Sequence, residues 1–426
     1  MWSPSPARPD PVSLLEETTP GRLARLVPIR YGRMIASPFA FLRGSAVIMA
    51  NDLATTPVTG IQVQACGDAH LGNFGTFATP ERNQVFDLND FDETLPGPWE
   101  WDVKRLAASI VAAGRSLGFA DTLNRQAVLN GLRTYRVHMA EFADMRSLDL
   151  WYSRIDVAGV LKRLARSEKL DGDHRFIKGE LERARRRTSL QVFPKLTSAA
   201  NGQYRITDDP PLLTHIEDDE LAERLRTFVQ AYGTSLQDDR HALLDHYQFV
   251  DMAQKVVGVG SVGTRCFIAL LLGHDSNDPL FLQIKEAQAS VLERHLGPSV
   301  YPNAAQRVVC GQRLIQAASD IFLGWSRVGP IDYYVRQLRD MKLSLDIERM
   351  SVNGFIVYAE LCGWALARAH ARSGDPAQIS AYLGKGNVFD RAVASFAELY
   401  ADQTERDHAA LVEAARSGRI PVAPDV

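Results

Sequence analysis

Strand-forming sequence is confined to two blocks, residues 60–92 and 255–340, and helical patterning surrounds both. This separation predicts an α+β chain in two lobes. At 426 residues the chain is too long for one small core. In the first block "GIQVQAC" alternates as a strand, and "FGTFATPERNQVFDL" predicts a hairpin turning at 80–83. In the second, "KVVGVGSVGTRCFIALLLG" and "PLFLQIKEA" predict two antiparallel strands. A helix near 303–317 and a strand pair in "DIFLGWSRV" and "DYYVRQLRDM" follow. Helices are expected from Leu23, with a break at Pro38, then from Trp101 to about Met145, from Leu221 to His246, and from Ile347 onward. The Pro-rich residues 1–20 are expected to be loose, and residues 145–250 to form a helical insertion. Its basic run at 183–187 is expected to be a solvated helix face.

Charge and composition narrow the function classes. A net charge of -3 with balanced signs gives no case for nucleic-acid binding. No apolar run approaches the roughly 20 residues that cross a bilayer. The first residues lack a basic start followed by an apolar stretch, so no signal peptide is expected. Cys66, Cys266, Cys310 and Cys362 are scattered, which argues against zinc or a disulfide framework and for a cytoplasmic location.

The densest chemistry lies in "CGDAHLGNFG" (66–75) and "FDLNDFDET" (86–94). Asp68 follows a glycine, and Asn73 stands five residues later with an amide oxygen suited to a hard cation. Asp87, Asp90 and Asp92 follow the hairpin. A polar turn accounts for the first stretch taken alone. Together, one proton acceptor, one Asn and a later Asp are the set that holds Mg²⁺–nucleotide and orients a hydroxyl. His70 is expected to be a hydrogen-bonding prop, since no second His stands at metal-ligand spacing.

"GDAHLGN" resembles the "HGDLHPGN" loop of aminoglycoside phosphotransferase-type kinases, and "NDFDET…GPWEWDVKRLA" resembles its continuation. The resemblance implies Asp68 as catalytic base, Asn73 as metal ligand and Asp102 as the buried Asp that braces the loop. It implies Asp90 as the main metal Asp; counting from Asn73 favours Asp87, and Asp92 is a neighbour. The nucleotide-covering parts come later in the chain. "GVGSVGT" supplies Gly258, Gly260, Ser261 and Gly263 for a phosphate-covering loop. Lys285 in "FLQIKEA" resembles the strand Lys of kinases, with Glu293, or else Glu286, as its acidic partner. "CGWALARAHARSG" (362–374) resembles the helix that leads into the catalytic loop. Joining end to beginning restores kinase order, so the resemblance implies a circularly permuted, two-lobed kinase-like fold. A largely helical catalytic lobe (21–250, with the insertion) and a smaller β-rich nucleotide lobe (251–345) are expected, with 346–426 returning to the first. The stretches "LVPIRYGRMIASPFAFLRG", "YYVRQLRDMK" and "ALARAHARSGD" also resemble the bacterial domain-of-unknown-function family 2252.

The expected function is therefore an ATP- and Mg²⁺-dependent phosphotransferase acting on a small-molecule hydroxyl. Alternatives are a metal-dependent phosphoester hydrolase, a nucleotide-binding pseudokinase and a nucleotidyl transferase. Arg30, Arg33, Arg43, Arg336, Arg339 and Lys342 suit phosphate or carboxylate recognition as well as structural ion pairs. Trp99 and Trp101 are expected to pack the helical lobe rather than stack on a base.

Overall fold

The computed structural model describes residues 2–165, 171–186, 188–200, 203–338 and 341–423, which leaves Arg187 and Arg339 outside the described residues. The architecture is α+β. Four short helices open the chain: α1 (Pro11–Glu16), α2 (Val27–Ile35), α3 (Pro38–Gly44) and α4 (Ala46–Leu53). Pro38 does break the helical run, as the first residue of α3 with Ser37 capping it.

The N-terminal segment is not loose. Arg8 lies between Asp52 at 2.7 Å and Asp407 at 2.6 Å, and Val12 and Leu15 of α1 are buried with Tyr31 and Leu411. Two buried carboxylates require that guanidinium, so tertiary pairing overrides the Pro-rich local sequence.

Next come β1 (Gln62–Ala65), β2 (Phe74–Ala78), β3 (Gln84–Leu88) and β4 (Leu95–Pro98). β2 and β3 form the expected hairpin, and β1 pairs antiparallel with β4. The long helices α5 (Trp99–Ser116) and α6 (Asp121–Ala143) follow. Trp99 and Trp101 are buried, and Trp99 stacks on Tyr135 of α6 with ring centres 5.9 Å apart.

Residues 147–244 hold α7 (Ser147–Tyr152), α8 (Val157–Leu164), α9 (Asp171–Arg185), α10 (Ser189–Leu196), the hairpin β5 (Thr197–Ala200)–β6 (Gln203–Ile206), β7 (Leu213–His215), α11 (Asp219–Ala231) and α12 (Asp238–Leu244). The second block then builds β8 (Gln248–Lys255), β9 (Cys266–Leu272) and β10 (Pro279–Ala287). The short α13 (Glu293–Leu296), α14 (Ala304–Ile315), β11 (Gly324–Val328) and β12 (Ile331–Gln337) complete it. Six strands make one antiparallel sheet in the order β11-β12-β10-β9-β8-β7.

The sheet starts well before residue 251, because β7 and the first three residues of β8 fall in the stretch expected as a helical insertion. A bulge between Phe249 and Asp251 shifts the register of β8 and breaks its alternation. The insertion also covers both faces of the sheet. Phe267, Ala269 and Leu271 pack under Leu225, Phe228 and Tyr232. Ile268 and Leu270 pack with Phe193 and Ile206 on the other face. With both faces covered, "CFIALLL" is apolar at every position.

The chain ends in α15 (Val352–Ser373), α16 (Pro376–Leu383) and α17 (Val388–Arg416). α15 crosses α6 closely. A Cβ at Gly363 would lie 2.1 Å from the Gly131 carbonyl oxygen, so only glycine fits that crossing. No helix among the described residues is long and apolar enough to cross a membrane.

Candidate active site

The loop from Cys66 to Asn73 is held by one stripe of α5. Asp102, Arg105 and Ser109 stand at i, i+3 and i+7, the spacing of one helix face. Asp102 accepts hydrogen bonds from the Cys66 N–H at 2.6 Å and the Gly67 N–H at 2.9 Å. His370 of α15 stands behind it, with Nε2 3.3 Å from Asp102 and Nδ1 2.8 Å from the Tyr135 hydroxyl. The Ser109 hydroxyl accepts from the Leu71 N–H. Gly67 has a φ of +82°, and a Cβ there would lie 2.3 Å from the Glu93 carbonyl oxygen. The turn therefore requires glycine.

Arg105 donates to Asp68 through Nε at 2.7 Å and also through Nη2. Burial pushes the Asp68 carboxyl up, and the nearby charges of Arg105 and Arg43 only partly oppose it. Asn73 stitches two loops: its Nδ2 donates to the carbonyls of Asp68 and Asp90, and its Oδ1 accepts from the Asp90 N–H at 2.7 Å. Its amide is thus spent largely on backbone, which leaves one lone pair of Oδ1.

The three aspartates of the second loop separate by environment. Asp87 is 1% exposed and receives Arg368 Nη2 on both oxygens at 2.6 Å, so it belongs to a buried ion pair with α15. Asp90 and Asp92 line the cavity. Asp90 Oδ1 is buried without a hydrogen-bond partner and lies 3.7 Å from Lys285 Nζ. Burial and the Asp92 charge push the Asp90 carboxyl up. Asp92 takes Lys285 Nζ at 2.8 Å, the Tyr334 hydroxyl at 2.7 Å and the Ser261 hydroxyl at 3.2 Å. Burial alone would raise the Asp92 carboxyl, but Lys285 and the Lys285 and Tyr334 hydrogen bonds outweigh it and hold it at about 2.

Among the described residues Lys285 has no glutamate partner. Glu293 sits in the one-turn α13, accepts from the Ser290 N–H and lies 3.7 Å from Arg307. Glu286 pairs with Arg265. On α14, Arg307 is 1% exposed and donates to the carbonyls of Asp92, Thr94 and Gln288. The helix beside the sheet therefore contributes a cation that fixes the 92–94 turn, while the aspartates themselves neutralise Lys285.

The Gly-rich segment joins the paired strands β8 and β9. Gly258 and Gly263 take positive φ, +69° and +94°. Arg33 donates to the Gly258 carbonyl, and Arg22 to the carbonyls of Gly260 and Val262. Asp68, His70, Asn73, Asp90, Asp92, Gly258, Gly260 and Ser261 surround one cavity of about 440 Å³. Lys285 stands directly behind Asp92. Glu293 lies on the rim, whereas Gly263, Asp87 and Asp102 do not line the cavity. The sequence signal for Arg105 and Ser109 is their spacing from Asp102 along one face of α5. Tyr334 and Arg307 carry no such local signal.

His70 yields a pH prediction. Burial first, then the charges of Arg43 and Arg105, push its imidazole well below the usual range. The unfolded chain binds a proton near pH 6.5 that the folded chain refuses, so this site loses stability as pH falls below about 6.5. His70→Gln is expected to flatten the fall in unfolding free energy between about pH 6.5 and 5. Parallel urea-denaturation profiles of the two proteins over that range would contradict it.

Comparison with known proteins returns a single finding. A family model described as "Uncharacterized protein conserved in bacteria (DUF2252)" matches residues 22–414. No curated protein and no solved structure matches the chain. The matched span takes in the 66–73 loop, the six-stranded sheet and all but the last two residues of α17, and the chain belongs to the DUF2252 family.

Proposed function

We propose that this chain is an ATP- and Mg²⁺-dependent phosphotransferase with a small-molecule hydroxyl acceptor, built as a circularly permuted kinase-like fold. One observation carries the proposal. Lys285 meets Asp92 at 2.8 Å from 193 positions away, beside a cavity that the Gly-rich hairpin and Asp68 share. Permutation is supported by α15, whose Ser373 hydroxyl accepts from the Gln64 N–H of β1, the strand that enters the loop. It is supported also by contacts between early and late residues: Arg419 reaches Asp10 at 3.0 Å, and the Ala423 N–H donates to the Pro28 carbonyl.

The residues fit Mg²⁺–nucleotide. Asp90 offers an oxygen with no partner, and Asp92 a carboxylate held ionised. Among the described residues no group of three or more His, Cys, Asp or Glu converges as a metal cage. That suits Mg²⁺, which takes one or two carboxylates and completes its shell with phosphates and water. It disfavours a two-metal hydrolase, which needs more protein ligands. When bound, the ion neutralises charge on the phosphate oxygens.

The chain's own residues do the rest. Asp68 accepts the acceptor's proton, and Arg105 fixes its carboxylate. Lys285 sets positive charge at the back of the cleft. Gly258 and Gly260 let backbone approach phosphate without a Cβ in the way. A pseudokinase is the second reading, favoured because Lys285 lacks a helix glutamate; bound ATP with no acceptor modified in a metabolite screen would decide for it.

Thermal unfolding with ATP alone, Mg²⁺ alone and both together tests the proposal. A ligand at a hundredfold excess over its Kd adds about 2.7 kcal/mol, so ATP with Mg²⁺ is expected to raise Tm. Lys285→Met is expected to remove most of that rise. No shift with any nucleoside triphosphate would overturn the nucleotide site.

A further inference from the structure

Among the described residues the buried Arg105 and Arg368 each pair with a carboxylate, Asp68 and Asp87, and the buried Arg307 lies 3.7 Å from Glu293. The half-buried Arg8 pairs with Asp52 and Asp407. Arg30 and Arg43, both lining the cavity, form no ion pair among the described residues. Arg30 on α2 is 2% exposed, and among the described residues its side chain donates only from Nη2, to the Thr18 hydroxyl at 3.1 Å and the Gly44 carbonyl at 3.4 Å. Its Nε and Nη1 are buried without partners there, as is Nε of the half-buried Arg43 on α3; Arg368 leaves the same two nitrogens unmet but faces Asp87. A buried cation with unmade hydrogen bonds destabilises a fold, and native chains keep such groups rarely.

The wall also has a cradle. A Cβ added at Gly72 would lie 3.4 Å from Arg43 Nε and 3.5 Å from His70 Nδ1. His70 Nδ1 is likewise buried and unpartnered. Glycine thus keeps open a spot at which two unmet polar atoms converge, beside Asp68. Arg22 adds a third positive charge but spends its guanidinium on the carbonyls of Thr18, Gly260 and Val262. Of the other acids of the cavity, Asp90 and Asp92 meet Lys285, Glu286 pairs with Arg265 and Glu17 with Arg294, and Glu93 and Glu293 accept from the Val291 and Ser290 N–H groups.

We propose that Arg30 and Arg43 grip an oxyanion, a phosphate or carboxylate group of the acceptor, and thereby set its hydroxyl at Asp68. Planar guanidinium groups bind such oxyanions with directed, charge-assisted hydrogen bonds. The proposal rests on the phosphotransferase reading for the acceptor's role but not for the anion site itself. It also explains a cost: in the ligand-free protein Arg30 carries charge that nothing nearby neutralises.

Inorganic phosphate and acetate are the probes, titrated at constant ionic strength by calorimetry and thermal unfolding. Phosphate or acetate is expected to raise the wild-type Tm, and the stronger of the two indicates the acceptor's anionic group. Arg43→Gln is expected to weaken that binding about tenfold or more. Arg30→Met is expected to weaken it similarly and to raise the Tm of the ligand-free protein, the opposite of what a structural arginine would do. Should Arg30→Met not fold, the site is overturned for Arg30, and Arg43→Gln decides for Arg43. Unchanged anion affinity in both variants overturns the proposal. Repeating the titration with ATP and Mg²⁺ present separates the sources: additive binding supports an acceptor anion, and competition reassigns the arginines to the nucleotide's terminal phosphate. Anion binding through these arginines without any ATP binding would sink the nucleotide reading and leave the anion site standing.

Discussion

Asp68→Asn is expected to lower phosphoryl transfer about a hundred- to ten-thousand-fold while leaving ATP–Mg²⁺ binding close to wild type. The substitution keeps shape and hydrogen-bonding capacity but cannot take a proton. The loop survives it, because Asp102, Ser109 and Asn73, not Asp68, hold its backbone. Arg105 loses a carboxylate but still donates to the Leu42 carbonyl at 2.8 Å. ATP turnover against a metabolite extract, with binding by calorimetry in parallel, is the measurement. Transfer at more than a tenth of the wild-type rate would remove Asp68 from the chemistry. Equal loss of transfer and of ATP binding would mean that the loop had collapsed.

Arg368→Met carries the largest expected stability effect, about 3–5 kcal/mol. Arg368 and Asp87 are 0% and 1% exposed, so the pair is shielded from bulk solvent. Removing the arginine leaves Asp87 buried without a counter-charge, held only, among the described residues, by the Leu88 and Ala317 N–H groups. Replacing both partners, Arg368→Met with Asp87→Leu, is expected to recover most of the loss, because an apolar pair leaves no buried charge. Urea denaturation of the single and double variants measures it. A single variant that loses less than about 1 kcal/mol would show that the Leu88 and Ala317 N–H groups suffice to hold Asp87.

Elements with an unbroken period were legible in the sequence. The hairpin of β2 and β3, the antiparallel β9 and β10, and helices α14 and α15 all lie where alternation or helical spacing puts them. β8 was not legible, because its bulge interrupts the alternation that would announce it. α1 was not, because six residues are too few for a helical period to show; Asp10 caps it, Pro11 opens it, and packing against Tyr31 and Leu411 buries it. The site follows the same rule. Asp68, Asn73, Asp90 and Gly258 sit in short local motifs and end up around one cavity. Asp87 and Asp90 could not be told apart by counting, since the difference is Arg368, 281 positions further on. Glu293 was the expected partner of Lys285, but the acid that meets it is Asp92, brought there by a turn that Arg307 fixes.

The long reach of α15 back to the first strands has a consequence for synthesis. Asp87 precedes Arg368 by 281 positions, and Asp102 precedes His370 by 268. At roughly 5–20 residues per second, a translating ribosome separates such partners by tens of seconds. Over that interval the nascent hairpin carries an aspartate whose counter-charge has not yet been made, next to apolar surface that the last helices will cover. The loop that holds Asp68 thus emerges well before the helix that completes its bracing, and matures only with it.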